Sequence, residues 1–157
     1  MEKVILITGG SRGIGREIAI NLVKKGYKVI ANYNKSEEKA LELIKEDIEI
    51  YKADVSKRNE VKKMIQDIIK KYKKIDVLVN NAGISSNNLF TDVSDEEWNN
   101  MINTNLYSAF CVTQEVLPYM INQKNGCIIN ISSIWGTIGA SCETIYSITK
   151  AGIDGMT

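Results

Sequence analysis

Histidine is absent from the 157-residue chain. This excludes Ser-His-Asp and Cys-His nucleophilic machinery, together with zinc or copper sites that depend on imidazole. The three cysteines, Cys111, Cys127 and Cys142, are odd in number and show no C-x-x-C spacing, so neither a disulfide framework nor a thiolate metal site is indicated. We expect free thiols and no metal, and any chemistry must use other groups.

Long hydrophobic runs and a strong net charge are also missing. The N-terminus reaches glycine after a few apolar residues, which is too short for a signal peptide or a membrane span. We therefore expect a soluble cytoplasmic chain with no membrane partner. The net charge is +1, and although residues 1–74 hold 18 basic and 11 acidic side chains, the lysines come as pairs on helix-like segments. Aromatic residues do not interleave with them, so solvated helix faces are favoured over a nucleic-acid partner.

Short β-rich runs alternate along the chain with segments of helical period. This alternation is typical of βαβ units around a parallel sheet. It predicts an α/β fold, a Rossmann-like doubly wound sheet with three α/β/α layers, formed by a single domain over residues 1–157. The predicted strands are Val4–Thr8, Lys28–Tyr33, Glu49–Lys52, Ile75–Asn80 and Cys127–Ile131.

Helical periodicity is clearest in the second half of the chain. Apolar residues from Val61 to Tyr72 fall on one helix face. Ser94 and Glu97 form a capping box that opens a second helix, whose stripe runs through Asn105 to Phe110, and Pro118 should kink or end it. A last amphipathic segment, 146–157, stops with no following strand. We therefore expect a chain truncated after this helix.

A glycine-rich turn follows the first strand, with the sequence Thr8-Gly9-Gly10-Ser11-Arg12-Gly13-Ile14-Gly15. Such a turn lets backbone amides approach a pyrophosphate at a helix N-terminus, although an ordinary βα turn would look similar. Position 18 is isoleucine, so the spacing is not G-x-G-x-x-G, and no Gly-Lys-Ser/Thr follows as in a Walker A loop.

The end of the second strand bears on cofactor choice. Enzymes of this architecture that use NAD place an acidic residue there to hold the ribose 2′-hydroxyl. Here Asn34 and Lys35 follow the strand, and Glu37 is the first carboxylate. Arg12 and Lys35 are placed to reach a 2′-phosphate, which favours NADP(H); the alternative is that both are surface cations.

Tyr146 and Lys150 are four residues apart on a predicted helix, so they share a face. A nearby ammonium favours the phenolate and would suit the phenol to proton donation near neutral pH. A chain with this many lysines contains such a pair by chance, so the pair alone carries little information. Two polar positions add context: Ser133, after the fifth strand, and Asn105, which interrupts an apolar helix stripe.

Taken together, these residues resemble the short-chain dehydrogenases/reductases over the whole chain. The resemblance rests on the glycine turn, Asp54-Val55, Asn80-Asn81-Ala82-Gly83, Asn105, Ser133 and the Tyr146/Lys150 pair. It implies catalytic roles for Asn105, Ser133, Tyr146 and Lys150. Tyr146 would protonate the carbonyl oxygen, Lys150 would bind the nicotinamide ribose, Ser133 would hydrogen-bond the carbonyl, and Asn105 would hold a relay water. The cofactor-binding residues would be Gly9, Ser11, Arg12, Gly13, Ile14, Gly15, Asn34, Lys35, Asp54, Val55, Asn81, Ala82, Gly83, Tyr146 and Lys150.

Within that family, the sequence is similar to the 3-oxoacyl-(acyl-carrier-protein) reductase group, which implies a β-keto thioester carried on acyl carrier protein and a role in fatty acid biosynthesis. The stretch 133–143 instead resembles elongation factor P 5-aminopentanone reductases, and Glu143 could attract an amine there or be a solvated loop carboxylate. The resemblance also implies a homodimer or homotetramer. Because family members continue with two more strands, a non-catalytic nucleotide-binding fragment is a further alternative.

Overall fold

The computed structural model describes residues 2–157. Five strands form a single parallel sheet in the order β3-β2-β1-β4-β5. In-register pairs include Ile5 with Val29 and Leu6 with Leu78. The strands are β1 Val4–Ile7, β2 Lys28–Tyr33, β3 Glu49–Lys52, β4 Val77–Asn80 and β5 Cys127–Asn130.

Five helices lie between successive strands in the chain, and two follow the last strand. Two 3-10 turns, Ile44–Glu46 and Phe90–Asp92, and one π-helical segment, Asn103–Tyr107, complete the regular structure. The helices are α1 Gly13–Lys24, α2 Glu37–Leu43, α3 Arg58–Tyr72, α4 Asp95–Ile102, α5 Ser108–Asn122, α6 Ile134–Ile138 and α7 Thr144–Met156.

Two hydrophobic cores cover the two faces of the sheet. On one face, Leu6 and Leu78 pack in a cluster with α3 residues such as Met64 and with α5 residues such as Val112. On the other face, the core includes Ile5, Ile7, Val29 and Val79 with Ala19 of α1 and Leu43 of α2. All four residues of β1 are buried, as expected for a central strand covered on both sides. The predicted Rossmann-like three-layer α/β fold is confirmed.

The helix predicted to run through Asn105 differs from expectation. It is divided into α4, the π-helical segment and α5. The Ser94 hydroxyl caps α4 by accepting a 3.1 Å bond from the Glu97 amide, as predicted, but the Glu97 carboxylate bonds to Asn88.

Of the two alternatives predicted for Pro118, a kink or the end of its helix, the second is wrong, because α5 continues to Asn122. Proline removes only one helical hydrogen bond, and Pro118 lies on the exposed face of α5, where water can bond to the freed carbonyl.

Along residues 2–157, no helix combines the length and apolarity needed to cross a bilayer.

Candidate active site

The strand order reverses at β1, whose neighbours are β2 on one side and β4 on the other. Ligands of open α/β sheets bind outside the carboxyl ends of the strands at such a switch point. A cleft of about 450 Å³ lies there. From the sequence-predicted cofactor residues its lining includes Gly9, Ser11, Arg12, Gly13, Ile14, Asn34, Lys35, Asp54, Val55, Asn81, Ala82 and Gly83.

The glycine turn shapes one wall of this cleft. Gly9 has φ +62°, and a Cβ there would lie 2.9 Å from the Cα of Ala82. Gly13 has φ +53° and open space where a Cβ would stand. Both positions therefore need glycine, the first for close packing of two loops and the second for its left-handed backbone.

The start of α1 is suited to an anion. Within the described chain, no side chain caps this helix N-terminus and no acidic residue lies in its first turn. The first backbone amides of a helix lack intrahelical partners and carry partial positive charge. The open space at Gly13 and these uncapped amides fit the pyrophosphate of a dinucleotide cofactor.

Asn81 joins the loop after β4 to the loop after β1. Its amide Nδ2 donates to the carbonyl oxygens of Thr8 and Gly9, each at 3.0 Å, and its backbone N–H donates to the Thr8 hydroxyl at 3.0 Å. Gly15 lies beneath this contact, where a Cβ would overlap both the Asn81 amide and the Gly9 carbonyl. Gly15 thus supports the loops from below and does not line the cleft.

Asp54 lies at the opposite wall, after β3. Its Oδ1 accepts hydrogen bonds from the Ser56 hydroxyl at 2.6 Å and from the Ser56 backbone amide at 3.0 Å. Burial acts to raise the pKa of Asp54, but these hydrogen bonds and the charge of Lys57 outweigh it and hold the pKa below its usual value. The carboxylate is therefore ionised at neutral pH.

Cations near the cleft divide into two groups. Arg16 is engaged by α2, with its guanidinium 3.0 Å from Glu42 and 3.0 Å from the Lys39 carbonyl oxygen. Arg12 and Lys35, in contrast, take part in none of the ion pairs formed among residues 2–157, and both residues line the cleft. Two residues with unpaired positive charges thus border the same cleft.

The π-helical segment places Asn105 against the loop after β4. Its Oδ1 accepts from the Ile84 N–H at 2.8 Å, while Nδ2 donates to the Ile84 carbonyl at 2.8 Å and to the Thr149 hydroxyl at 3.2 Å. Asn105 is 2% exposed, so these bonds satisfy an amide that would otherwise be costly to bury. Short π-helical insertions frequently mark functional sites.

Helix α7 brings Tyr146 and Lys150 together. The Lys150 Nζ lies 5.5 Å from the centre of the Tyr146 ring and donates a 2.7 Å hydrogen bond to the Ile131 carbonyl. Lys150 is 5% exposed. Burial lowers its pKa, while the charge of Asp154 acts in the opposite direction. An ammonium can donate three hydrogen bonds, so two remain for other partners.

Ser133 is the N-cap of α6. Its Oγ accepts a 3.3 Å bond from the Trp135 amide, so the hydroxyl proton is left to donate elsewhere.

Thr149 joins Tyr146 to Asn105, since its hydroxyl donates to the Tyr146 carbonyl at 2.7 Å and accepts from Asn105.

The four predicted catalytic residues are not among those that line the cleft; they are Asn105, Ser133, Tyr146 and Lys150. Ile84 connects this group to the cleft, because it lines the cleft and its N–H donates to Asn105. The sequence patterns missed two residues that hold Asn105, namely Ile84 and Thr149. They also missed two residues that line the cleft, Asn100 of α4 and Thr104 of the π-helical segment. One missed residue had a sequence signal: Asn32 is a polar residue within a buried strand, and it bonds to the Ala53 carbonyl and to the Gly9 amide.

These features define a doubly wound α/β protein with a glycine-lined ligand cleft at its switch point. The sequence profile of the family described as short chain dehydrogenase matches residues 3–157. The chain belongs to this family, whose members are oxidoreductases acting on CH–OH and C=O groups.

Relatives with assigned functions support the same family. The chain is 43% identical to a 3-oxoacyl-(acyl-carrier-protein) reductase of Staphylococcus epidermidis over 163 aligned positions, covering 100% of this chain and 67% of the relative. It is 42% identical to the protein of that name in Thermotoga maritima, covering 99% of this chain and 65% of the relative. The chain thus spans about two thirds of the length of these relatives.

Proposed function

We propose that the chain is an NADP(H)-dependent reductase that converts a ketone to a secondary alcohol, of the 3-oxoacyl-(acyl-carrier-protein) reductase type. The observation that carries this proposal is the buried Lys150 ammonium held against the Tyr146 ring, next to a glycine-lined cleft. A phenol beside a desolvated cation is suited to proton transfer, and the cleft is suited to a dinucleotide.

In this proposal, Tyr146 donates the phenolic proton to the ketone oxygen. A bound reduced nicotinamide would supply the hydride for the carbonyl carbon. Lys150 has two roles: its ammonium, 5.5 Å from the centre of the Tyr146 ring, offsets the negative charge that proton transfer leaves on the Tyr146 oxygen, and its remaining donors would bind the ribose of the cofactor. The buried position of Lys150 strengthens the first role, because a charge acts more strongly where water is excluded.

Ser133 and Asn105 hold the reacting groups in place. The Ser133 hydroxyl has a free proton with which to hydrogen-bond the substrate carbonyl oxygen. Asn105 has both amide hydrogens engaged by Ile84 and Thr149, which leaves a lone pair on Oδ1 to accept from the proposed relay water. Asn105 therefore also fixes the loop after β4 relative to α7.

The preference for NADP(H) follows from the charges around the cleft. Arg12 and Lys35 line it without ion-pair partners among residues 2–157, and neither Asn34 nor Lys35 is acidic. A 2′-phosphate would gain two cationic contacts at this position, whereas a 2′-hydroxyl would find no carboxylate on the segment directly after β2.

The substrate class is proposed from the relatives, which carry the name 3-oxoacyl-(acyl-carrier-protein) reductase. The expected substrate is a β-keto thioester on acyl carrier protein. A ketone on modified elongation factor P is the alternative that the stretch around Glu143 suggests. A homodimer or homotetramer is proposed as well, because the exposed apolar residues Phe110, Leu117 and Ile121 lie on α5, the helix that continues from Asn105.

The test is NADPH oxidation with a β-ketoacyl thioester and, separately, with aminopentanone-modified elongation factor P. We expect Tyr146→Phe to abolish turnover and to leave binding of adenosine 2′,5′-bisphosphate unchanged, since the phenol lies outside the cleft lining. Tyr119→Phe, in α5, is the matched control and should keep full activity. Unchanged turnover in Tyr146→Phe would refute the proton donor. Bisphosphate binding without turnover in the unmodified chain would favour the non-catalytic alternative.

A further inference from the structure

Three carboxylates in the first half of the chain share the same surroundings. Each accepts a hydrogen bond from a tyrosine hydroxyl and pairs with a lysine. The lysine to carboxylate distances are 2.9, 2.6 and 2.6 Å. The sets are Tyr33–Glu37–Lys52, Tyr51–Asp67–Lys63 and Tyr72–Glu49–Lys71.

Only the first set borders the proposed cofactor cleft. Tyr33 and Ser36 line it, and Glu37 follows Ser36 as the first residue of α2. Lys52 ends β3 and is the in-register partner of Tyr33 on β2. The register of β2 and β3 therefore places Lys52 beside Glu37, the first carboxylate after β2.

Glu37 occupies a consequential position for nucleotide selection. It is the first carboxylate after β2 and lies two residues beyond Lys35, which lines the cleft. A free carboxylate so close to Lys35 would repel a 2′-phosphate bound there. In this structure, however, the Glu37 side chain is 2.9 Å from the Lys52 Nζ and accepts a 3.5 Å bond from the Tyr33 hydroxyl.

The hydrogen bond from Lys52 and its charge hold the pKa of Glu37 below the usual value. Glu37 is thus ionised at neutral pH, and its charge is neutralised by pairing and not by protonation. Removing the lysine would leave an unneutralised negative charge on Glu37, whose remaining partner, the Tyr33 hydroxyl, belongs to a residue that lines the cleft.

We propose that Lys52 is a specificity-determining residue: by holding Glu37 on the surface beside β3, it keeps the ribose site selective for a 2′-phosphate over a 2′-hydroxyl. This inference rests on the proposed use of NADP(H). Lys52 acts through Glu37 and is therefore a positioning residue.

The experiment measures dissociation constants of adenosine 2′,5′-bisphosphate and of 5′-AMP by titration calorimetry, with no reaction involved. In Lys52→Met we expect the bisphosphate to bind more weakly and 5′-AMP more tightly, so that the ratio of their affinities falls about two- to fivefold. The double variant Lys52→Met/Glu37→Gln should restore the unmodified ratio, because the released carboxylate is then absent. Lys71→Met breaks a similar triad away from the cleft and should leave the ratio unchanged.

Two results would overturn the inference while leaving the proposed function intact. One is an unchanged ratio in Lys52→Met. The other is weaker bisphosphate binding with no gain for 5′-AMP that persists in the double variant, which would make Lys52 a direct phosphate ligand. If the unmodified chain shows no preference for the bisphosphate, both the NADP(H) proposal and this inference fail.

Discussion

Substitution of Gly15 by alanine tests the construction of the cleft most directly. A Cβ at this position overlaps the Asn81 amide and the Gly9 carbonyl, both of which belong to the contact that joins the loops after β1 and β4. The two loops must therefore move apart or Asn81 must turn away. Either response disturbs the wall on which the proposed pyrophosphate site depends.

The expected cost can be assembled from three terms. Overpacking a well-filled position costs about 1–3 kcal/mol. Losing the two Asn81 Nδ2 hydrogen bonds costs about 1 kcal/mol each. Alanine also lowers the conformational entropy of the unfolded chain, which stabilises the folded protein by about 0.4–1 kcal/mol. We therefore expect Gly15→Ala to lower the free energy of unfolding by about 2–5 kcal/mol and to weaken binding of adenosine 2′,5′-bisphosphate.

Urea denaturation followed by circular dichroism measures the first effect, and Gly155→Ala is its matched control. Gly155 also lies in a helix, but a Cβ there meets nothing within 4 Å. The control should be stabilised by up to about 1 kcal/mol through the unfolded state alone. If Gly15→Ala were stabilised like Gly155→Ala, the close contact with Asn81 would be refuted.

Three further substitutions test other parts of the structure. Asp76 accepts 2.8 Å bonds from the Val4 amide and from Lys74. Burial acts to raise the pKa of Asp76, but these two bonds outweigh it and lower the pKa. The ionised Asp76 therefore stabilises the folded protein above about pH 4, and this contribution is lost as the pH falls through the pKa of the folded state. Asp76→Asn should lose about 1–2 kcal/mol at pH 7 and flatten the acid side of the stability profile, and an unchanged profile would contradict this. Burial lowers the pKa of Lys150, so the folded protein releases this proton at a lower pH than the unfolded chain does. The free energy of unfolding should therefore rise between the lowered pKa and the ordinary lysine pKa. Lys150→Met, denatured at pH 7 and at pH 10, should not show this rise. Phe110→Glu should reduce the mass measured by analytical ultracentrifugation if α5 forms the oligomer contact, and an unaltered mass would exclude that face.

The sequence by itself determined the strands and the class of fold. Apolar runs such as Val4–Ile7 and the glycine turn are local patterns, and local patterns report which segments are buried strands and where a turn must leave room for a ligand. The family motifs also predicted residues that line the cleft, such as Gly9, Arg12 and Asn81, because the spacing of these motifs can be read along the chain.

Only the tertiary structure decided which side chains meet. The contact of Asn105 with Ile84 and Thr149 joins positions 21 and 44 residues apart, and it depends on a π-helical segment that no periodicity announced. The pairing of Lys52 with Glu37 likewise follows from the register of β2 and β3. The first contact arises because α7 packs against the π-helical segment, and the second because β2 and β3 pair side by side. Both depend on how segments distant in the chain pack together, which local sequence patterns do not encode.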